Sequence, residues 1–165
     1  MNAFRISRQK IALPMLSICG IVLLSICCLS VISPIRFERE RGEREKAVIS
    51  RLLTIRKAEE RYLQKHGTYC GDFATLIKRG FLKKEEQYIP FNEDGKRFAL
   101  QATMQVSKSG RQIPLMECSA AYEDYLQGLD ENAIINLTEQ ANSAGRFPGL
   151  KIGDITEANN NAGNW

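Results

Sequence analysis

The order of apolar and polar positions divides this chain into distinct stretches. Residues 11–35 carry no charged side chain over 25 consecutive positions. As a helix such a run extends roughly 37 Å, against about 30 Å for the hydrocarbon core of a bilayer. It predicts a transmembrane helix, with residues 1–10 as a short cytoplasmic N-terminus. From Arg36 to Lys46 basic and acidic residues alternate, and Glu40 precedes Arg44 by one helical turn, the favourable order for an ion pair on a solvated helix. Past Ala47 the period changes. Val48, Leu52, Ile55 and Tyr62 recur at helical spacing, and Ile49, Leu53 and Ala58 widen the stripe. That stripe predicts the packing face of a helix that stops where Lys65 and His66 give way to Gly67. Residues 36–66 therefore read as a stalk and amphipathic helix, either one rod or two halves flexing near Pro34 or Gly42.

The remainder, residues 67–165, alternates short elements with turns. Asp72 before Phe73-Ala-Thr-Leu-Ile-Lys-Arg79, with Gly80 behind, predicts an N-capped helix of two turns. Asn92-Glu-Asp-Gly95 marks a turn. Phe98, Leu100, Ala102, Met104 and Val106 alternate with Ala99, Gln101, Thr103 and Gln105, the period of a half-buried strand. Ser107-Lys-Ser-Gly110 separates that strand from Ile113-Pro-Leu-Met-Glu-Cys118, which predicts a hairpin whose second strand Pro114 keeps toward an edge. A third strand is expected at Tyr122–Leu126. Asp130 suits the cap of a helix through Ala133, Ile134, Leu137 and Ala141, but Ile134-Ile-Asn-Leu137 suits a strand equally, so residues 130–142 stay open between the two. The tail from Gly145 is rich in Gly, Asn and Pro, and Asp154-x-x-Glu157 has the form of a capping box for one short turn. The class is α+β: an N-terminal transmembrane helix continuing into a long amphipathic helix packed on a small antiparallel sheet, with 67–165 as an extramembrane globular head.

Composition adds exclusions. At 44% apolar and 25% charged the chain is ordinary globular material, which excludes disorder. The formal +4 is front-loaded: +3 over residues 1–10, +4 over 36–66 and −3 over 67–165. The part long enough to fold is mildly acidic, so no nucleic acid is expected as a partner. Arg5, Arg8 and Lys10 ahead of the span favour a cytoplasmic N-terminus, although Arg36, Arg39, Arg41 and Arg44 behind it weigh against that count. A cleaved signal would end its apolar core at small residues, whereas this run ends Val31-Ile-Ser-Pro-Ile35. Acylation at Cys19 or Cys27 would call for a small preceding residue, and both follow isoleucine.

The chemistry available is sparse. His66 is the only histidine, which excludes triads and multi-histidine metal sites, and its place in a last helical turn is explained by the helix dipole. Cys19, Cys27 and Cys28 fall in the span and read as packing residues. Cys70 and Cys118, the two cysteines of the head, would be free to form a disulfide in an oxidising compartment. No Cys-x-x-Cys, Gly-x-Gly-x-x-Gly or Gly-x-Ser-x-Gly occurs. Asp154, Glu157, Asn159, Asn160 and Asn161 offer oxygen ligands without the spacing of a calcium loop, and read as a solvated turn. A hydrolase would need a nucleophile and base that the sequence does not display, and acid pairs such as Glu123 and Asp124 read as surface. The expectation is a non-enzymatic protein with no catalytic, cofactor or metal residues, and the sequence names no small ligand.

The organisation itself resembles a known one. A basic N-terminus, one apolar helix running into an amphipathic helix, Tyr62-Leu-Gln-Lys-His-Gly-Thr-Tyr69 at the helix exit, a capped Asp72–Arg79 helix and a small sheet resemble type IV pilins and type II secretion pseudopilins. In that pattern Tyr62, Gly67 and Tyr69 hand the long helix to the head, and they are expected as scaffold. Pro34-Ile-Arg-Phe37, Ile55-Arg56, Phe73-Ala-Thr-Leu-Ile77, Ile134-Ile-Asn-Leu137, Pro148-Gly-Leu-Lys151 and Asn160-Asn-Ala-Gly-Asn-Trp165 are similar to uncharacterised bacterial single-pass pilin-like proteins. Two features of true pilins do not map: the first glycine is Gly20, inside the span, and the first acid is Glu38. The resemblance implies an uncleaved inner-membrane anchor with a periplasmic pilin-like head, structural or accessory to a secretion or pilus-type assembly. Its expected partners are the lipid bilayer and other envelope-assembly subunits. The alternative is a membrane-tethered ligand-binding or sensory head acting through a partner, since ten residues before the span hold no effector.

Overall fold

A computed structural model describes the backbone of residues 3–107 and 110–165; within these, the side chains of 3–16 and 28–33 lie outside the described residues. The chain forms two compact units, Met1–Glu40 and Arg41–Trp165. Helix α1, Ala3–His66, is continuous through Pro34 and Gly42 and contributes to both.

In the first unit the apolar side chains of Ile18, Ile21, Val22, Leu23, Leu24 and Ile26 are uncovered, at 50–67% exposed. The Ser25 hydroxyl donates to the carbonyl of Ile21, so it is satisfied within the helix. Among the described residues no helix is long and apolar enough to cross a membrane. The span expected at 11–35 falls partly outside those residues, as do Cys28, whose side chain is not described, and Met1 and Asn2 of the N-terminus.

The second unit is α+β, and its core begins on α1. Val48, Leu52, Ile55, Ala58 and Glu59 are fully buried and Tyr62 is 8% exposed, all on one helical stripe. Each of Val48, Leu52 and Ile55 contributes about 2 kcal/mol by leaving water. Charged residues flank the stripe, with pairs Arg41–Glu45 and Arg56–Glu60 at 2.8 Å. Arg44, expected to pair along the helix with Glu40, instead donates to the carbonyls of Tyr125 and Gln127 at 3.1 and 2.7 Å. Arg51 and Arg61 likewise reach the carbonyls of Glu85 and Phe81. The basic residues of this stretch are therefore clamps on the loops of the head, a use that a solvated charged face does not anticipate.

Helix α1 ends at His66 because Gly67 takes φ +77°, and its N–H closes onto the carbonyl of Leu63. Helix α2, Phe73–Lys78, starts on Asp72, whose carboxylate accepts from the N–H groups of Ala74 and Thr75. A 3₁₀ turn at Lys84–Gln87 follows. Strands β1, Ala99–Val106, β2, Gln112–Ala121, and β3, Gly149–Gly153, form an antiparallel sheet in the order β1-β2-β3. Leu100, Cys118 and Ile152 face one another across all three strands, and Cys118 and Ile152 are fully buried.

Four expectations are corrected by this sheet and its surroundings. Tyr122–Tyr125 is a helical turn, α3, rather than a third strand: Tyr125 and Leu126 are fully buried, and the N–H of Tyr122 donates to the carbonyl of Pro148. The third strand is β3, whose Gly-Leu-Lys-Ile-Gly offers only two apolar residues to a periodicity search. Gly153 has φ +72°, and a Cβ there would stand 2.1 Å from the carbonyl oxygen of Met116, so no other residue fits without displacing the ladder. Pro114 belongs to the central strand, but β3 pairs only with Glu117–Ala121, so the half of β2 holding Pro114 is bonded on one side. The apolar row of β1 is covered only at its start, since Met104 and Val106 are 41% and 64% exposed. Lys108 and Ser109 of the expected hairpin turn lie outside the described residues.

Residues 131–143 form helix α4, Glu131–Ser143, which resolves the open choice there. Asp130 caps it, its carboxylate accepting from the N–H of Ala133 at 2.9 Å. Asp130→Ala removes that acceptor and is expected to cost about 1 kcal/mol, read as a lower melting temperature, while Asp130→Asn keeps most of it. The tail forms no helix at Asp154–Glu157. Asp154 accepts instead from the N–H and hydroxyl of Thr156 in an Asx turn. The tail then returns along β3, with Gly163 bridging Ile152 and the N–H of Asn164 donating to the carbonyl of Lys151, which covers that sheet edge.

Candidate functional site

The second unit holds a groove of about 550 Å³, within the range typical of small-ligand sites. It is lined by Arg41 and Glu45 of α1, Tyr122 of α3, Leu137, Gln140 and Ala141 of α4, and further along the chain by Arg146, Phe147, Lys151, Asn164 and Trp165. Trp165 is half-exposed and lies over Gly163, where a Cβ would meet its ring at 2.5 Å, so the glycine admits the indole.

The three cations of the groove differ. Arg41 donates to Glu45 at 2.8 Å, and its guanidinium stands 5.9 Å from the centre of the Tyr122 ring. Lys151 is held between Glu117 at 3.0 Å and Asp154 at 3.1 Å. Partial burial works against its charge, yet the bonds to Glu117 and Asp154 leave its pKa above the ordinary lysine value. The Thr156 hydroxyl and N–H, followed by Lys151, hold the Asp154 carboxyl well below the usual carboxylate range. Arg146 alone of the three has no hydrogen-bond or ion-pair partner for its guanidinium among the described residues, and it is exposed.

Tyr125 is fully buried, and its hydroxyl lies near the Glu45 carboxylate without meeting the geometry of a full hydrogen bond. Burial, then the neighbouring charge of Glu45, pushes that phenol far above its usual pKa, so it stays a protonated donor. The charges of Glu45 and Arg41, which line the groove, both act on it.

The helix exit is a second polar cluster. Glu59 accepts from the N–H of Cys70 at 2.7 Å and of Gly71 at 2.9 Å, which fixes the chain leaving α1. Tyr62 stacks on His66 with ring centres 4.1 Å apart and meets Phe81 edge-on. The hydroxyl of Tyr69 accepts from Asn161, joining the exit loop to the tail. Cys70 and Cys118 are free thiols. The Cys70 thiol donates to the carbonyl of Asp72, while Cys118 is fully buried, its pKa pushed up by burial and by the charge of Glu59.

Asp124 is buried and pairs with Lys96 at 2.6 Å, while Glu123 is exposed. Among the described residues no group of three or more His, Cys, Asp or Glu is placed to hold a metal ion. Sequence reasoning missed Glu59, although its position one turn beyond Ile55 puts it on the apolar stripe. It also missed the groove, whose lining residues are spread from Arg41 to Trp165 with no local signature. No family model, curated protein or solved structure matches the chain.

Proposed function

We propose that this chain is a single-pass, membrane-anchored, pilin-like subunit that serves a structural or accessory role in a secretion or pilus-type assembly of the bacterial envelope. In this reading the apolar part of α1 sits in the inner membrane, the N-terminus is cytoplasmic and the head is periplasmic. One observation carries it: the helix that bears the uncharged run at 11–35 is the same helix whose Val48–Tyr62 face is buried in the head. Six uncovered apolar side chains between Ile18 and Ile26 call for lipid or a partner helix, and the internally bonded Ser25 is compatible with hydrocarbon. The head offers clamps, caps and aromatic packing, which are scaffold features, and Asp72, Glu117, Asp124, Asp130 and Asp154 are tied up in pairs and turns.

Crosslinking tests this role. A photoreactive residue in place of Leu23, followed by mass spectrometry from the native host, is expected to capture other single-pass envelope subunits. Capture of lipid alone from every position between Ile18 and Ile26 would remove the assembly role. The groove favours a second reading, a tethered ligand-binding head that acts through a partner.

A further inference from the structure

We propose that the groove between α4 and the tail binds a small planar aromatic carboxylate, its ring against Phe147, Trp165 and Tyr122 and its carboxylate on Arg146 and Arg41. The proposal rests on the second reading above and names its ligand class. Three aromatic side chains and Leu137 line a space of about 550 Å³, enough for one or two fused rings. Aromatic walls select a flat apolar body through stacking and edge contacts. Arg146 is a guanidinium at the rim without a partner among the described residues, and a planar carboxylate matches its two parallel donors.

Arg41 lines the same space and supplies the second anchor. Its guanidinium stands 5.9 Å from the centre of the Tyr122 ring and donates to Glu45 at 2.8 Å. A ligand carboxylate bound there shares the Arg41 donors with Glu45.

The test uses the full chain in phosphatidylcholine nanodiscs, with 2-naphthoate and uncharged 2-naphthamide as probes. Trp165 is the only tryptophan, so its indole N–H signal in a nitrogen-15 spectrum reports the groove alone. Naphthoate is expected to move that signal saturably, with naphthamide about tenfold weaker, the worth of one charge-assisted contact. Arg146→Ala should weaken naphthoate by about tenfold and leave naphthamide unchanged. No saturable movement of the indole signal would overturn the proposal, as would equal affinity for the two probes or an Arg146→Ala variant that binds naphthoate as the parent does. Saturable binding that leaves the indole signal still would overturn this site while sparing a ligand-binding head.

Discussion

Glu59→Ala is expected to lower the stability of the head by about 3 kcal/mol or more, the largest loss from any single polar side chain in it. The carboxylate is fully buried and takes the N–H groups of Cys70 and Gly71. Hydrogen bonds to a charged group are worth about 1.5–3 kcal/mol each, and buried donors left unpaired carry their own penalty. Alanine also leaves a cavity at the point where the chain leaves α1. Glu59→Gln should cost less, because its single carbonyl oxygen serves one N–H while its amide faces the other. Chemical denaturation of the three proteins checks the order, and equal midpoints for parent and alanine variant would contradict it.

The same residue sets a pH dependence. Burial holds the Glu59 carboxyl above its ordinary pKa, opposed only in part by the two backbone donors. The folded head therefore binds this proton more tightly than the unfolded chain. The contribution is fully present below the ordinary carboxylate value and is lost as pH rises through the raised one. Asp72 and Asp154, held low by their turn donors, give the opposite slope, losing their contribution as pH falls. The Glu59 effect is isolated by comparing parent with Glu59→Gln between about pH 4 and neutrality. The parent's relative stability should decline with rising pH, and a constant difference would contradict the assignment.

The second large effect concerns the first unit. Ile21→Arg with Leu24→Arg is expected to release the chain from the membrane fraction. Both side chains are about two-thirds exposed on the apolar stretch of α1, at 65% and 67%. An arginine near the centre of a spanning helix costs about 2.5–3.5 kcal/mol for insertion, so two approach about 6 kcal/mol. The swap Ile21→Leu with Leu24→Ile should leave fractionation unchanged. Alkaline extraction followed by immunoblotting reads the result. Arginine variants that stay in the pellet as the parent does would remove the membrane-anchoring role of this stretch.

Legibility of this molecule in its sequence followed the range of the interactions. Caps are local, so Asp72 with Gly80 and Asp130 could be placed from a few neighbouring residues, and the β1–β2 hairpin declared itself through strict alternation. Two elements failed for reasons of length and context. Tyr122–Leu126 has strand-like composition, but its buried pair Tyr125 and Leu126 is satisfied by a single helical turn, and β3 is five residues long with glycine at both ends. Glu59 carries a charge, which favours the surface, although its helical position puts it on the buried stripe. The groove could not be read at all, because Arg41, Tyr122, Phe147 and Trp165 meet only after the sheet and α4 have formed.

The central claim is that an uncleaved anchor carries a periplasmic pilin-like head. Protease accessibility combined with intact-mass spectrometry, on the protein in its native host, tests it most directly. The account predicts an uncut, unacylated chain in the inner membrane whose head is digested from the periplasmic side while the segment through residue 35 stays protected. A soluble chain cut after the span, a mature chain beginning at acylated Cys19 or Cys27, or a head protected on the cytoplasmic side would contradict it.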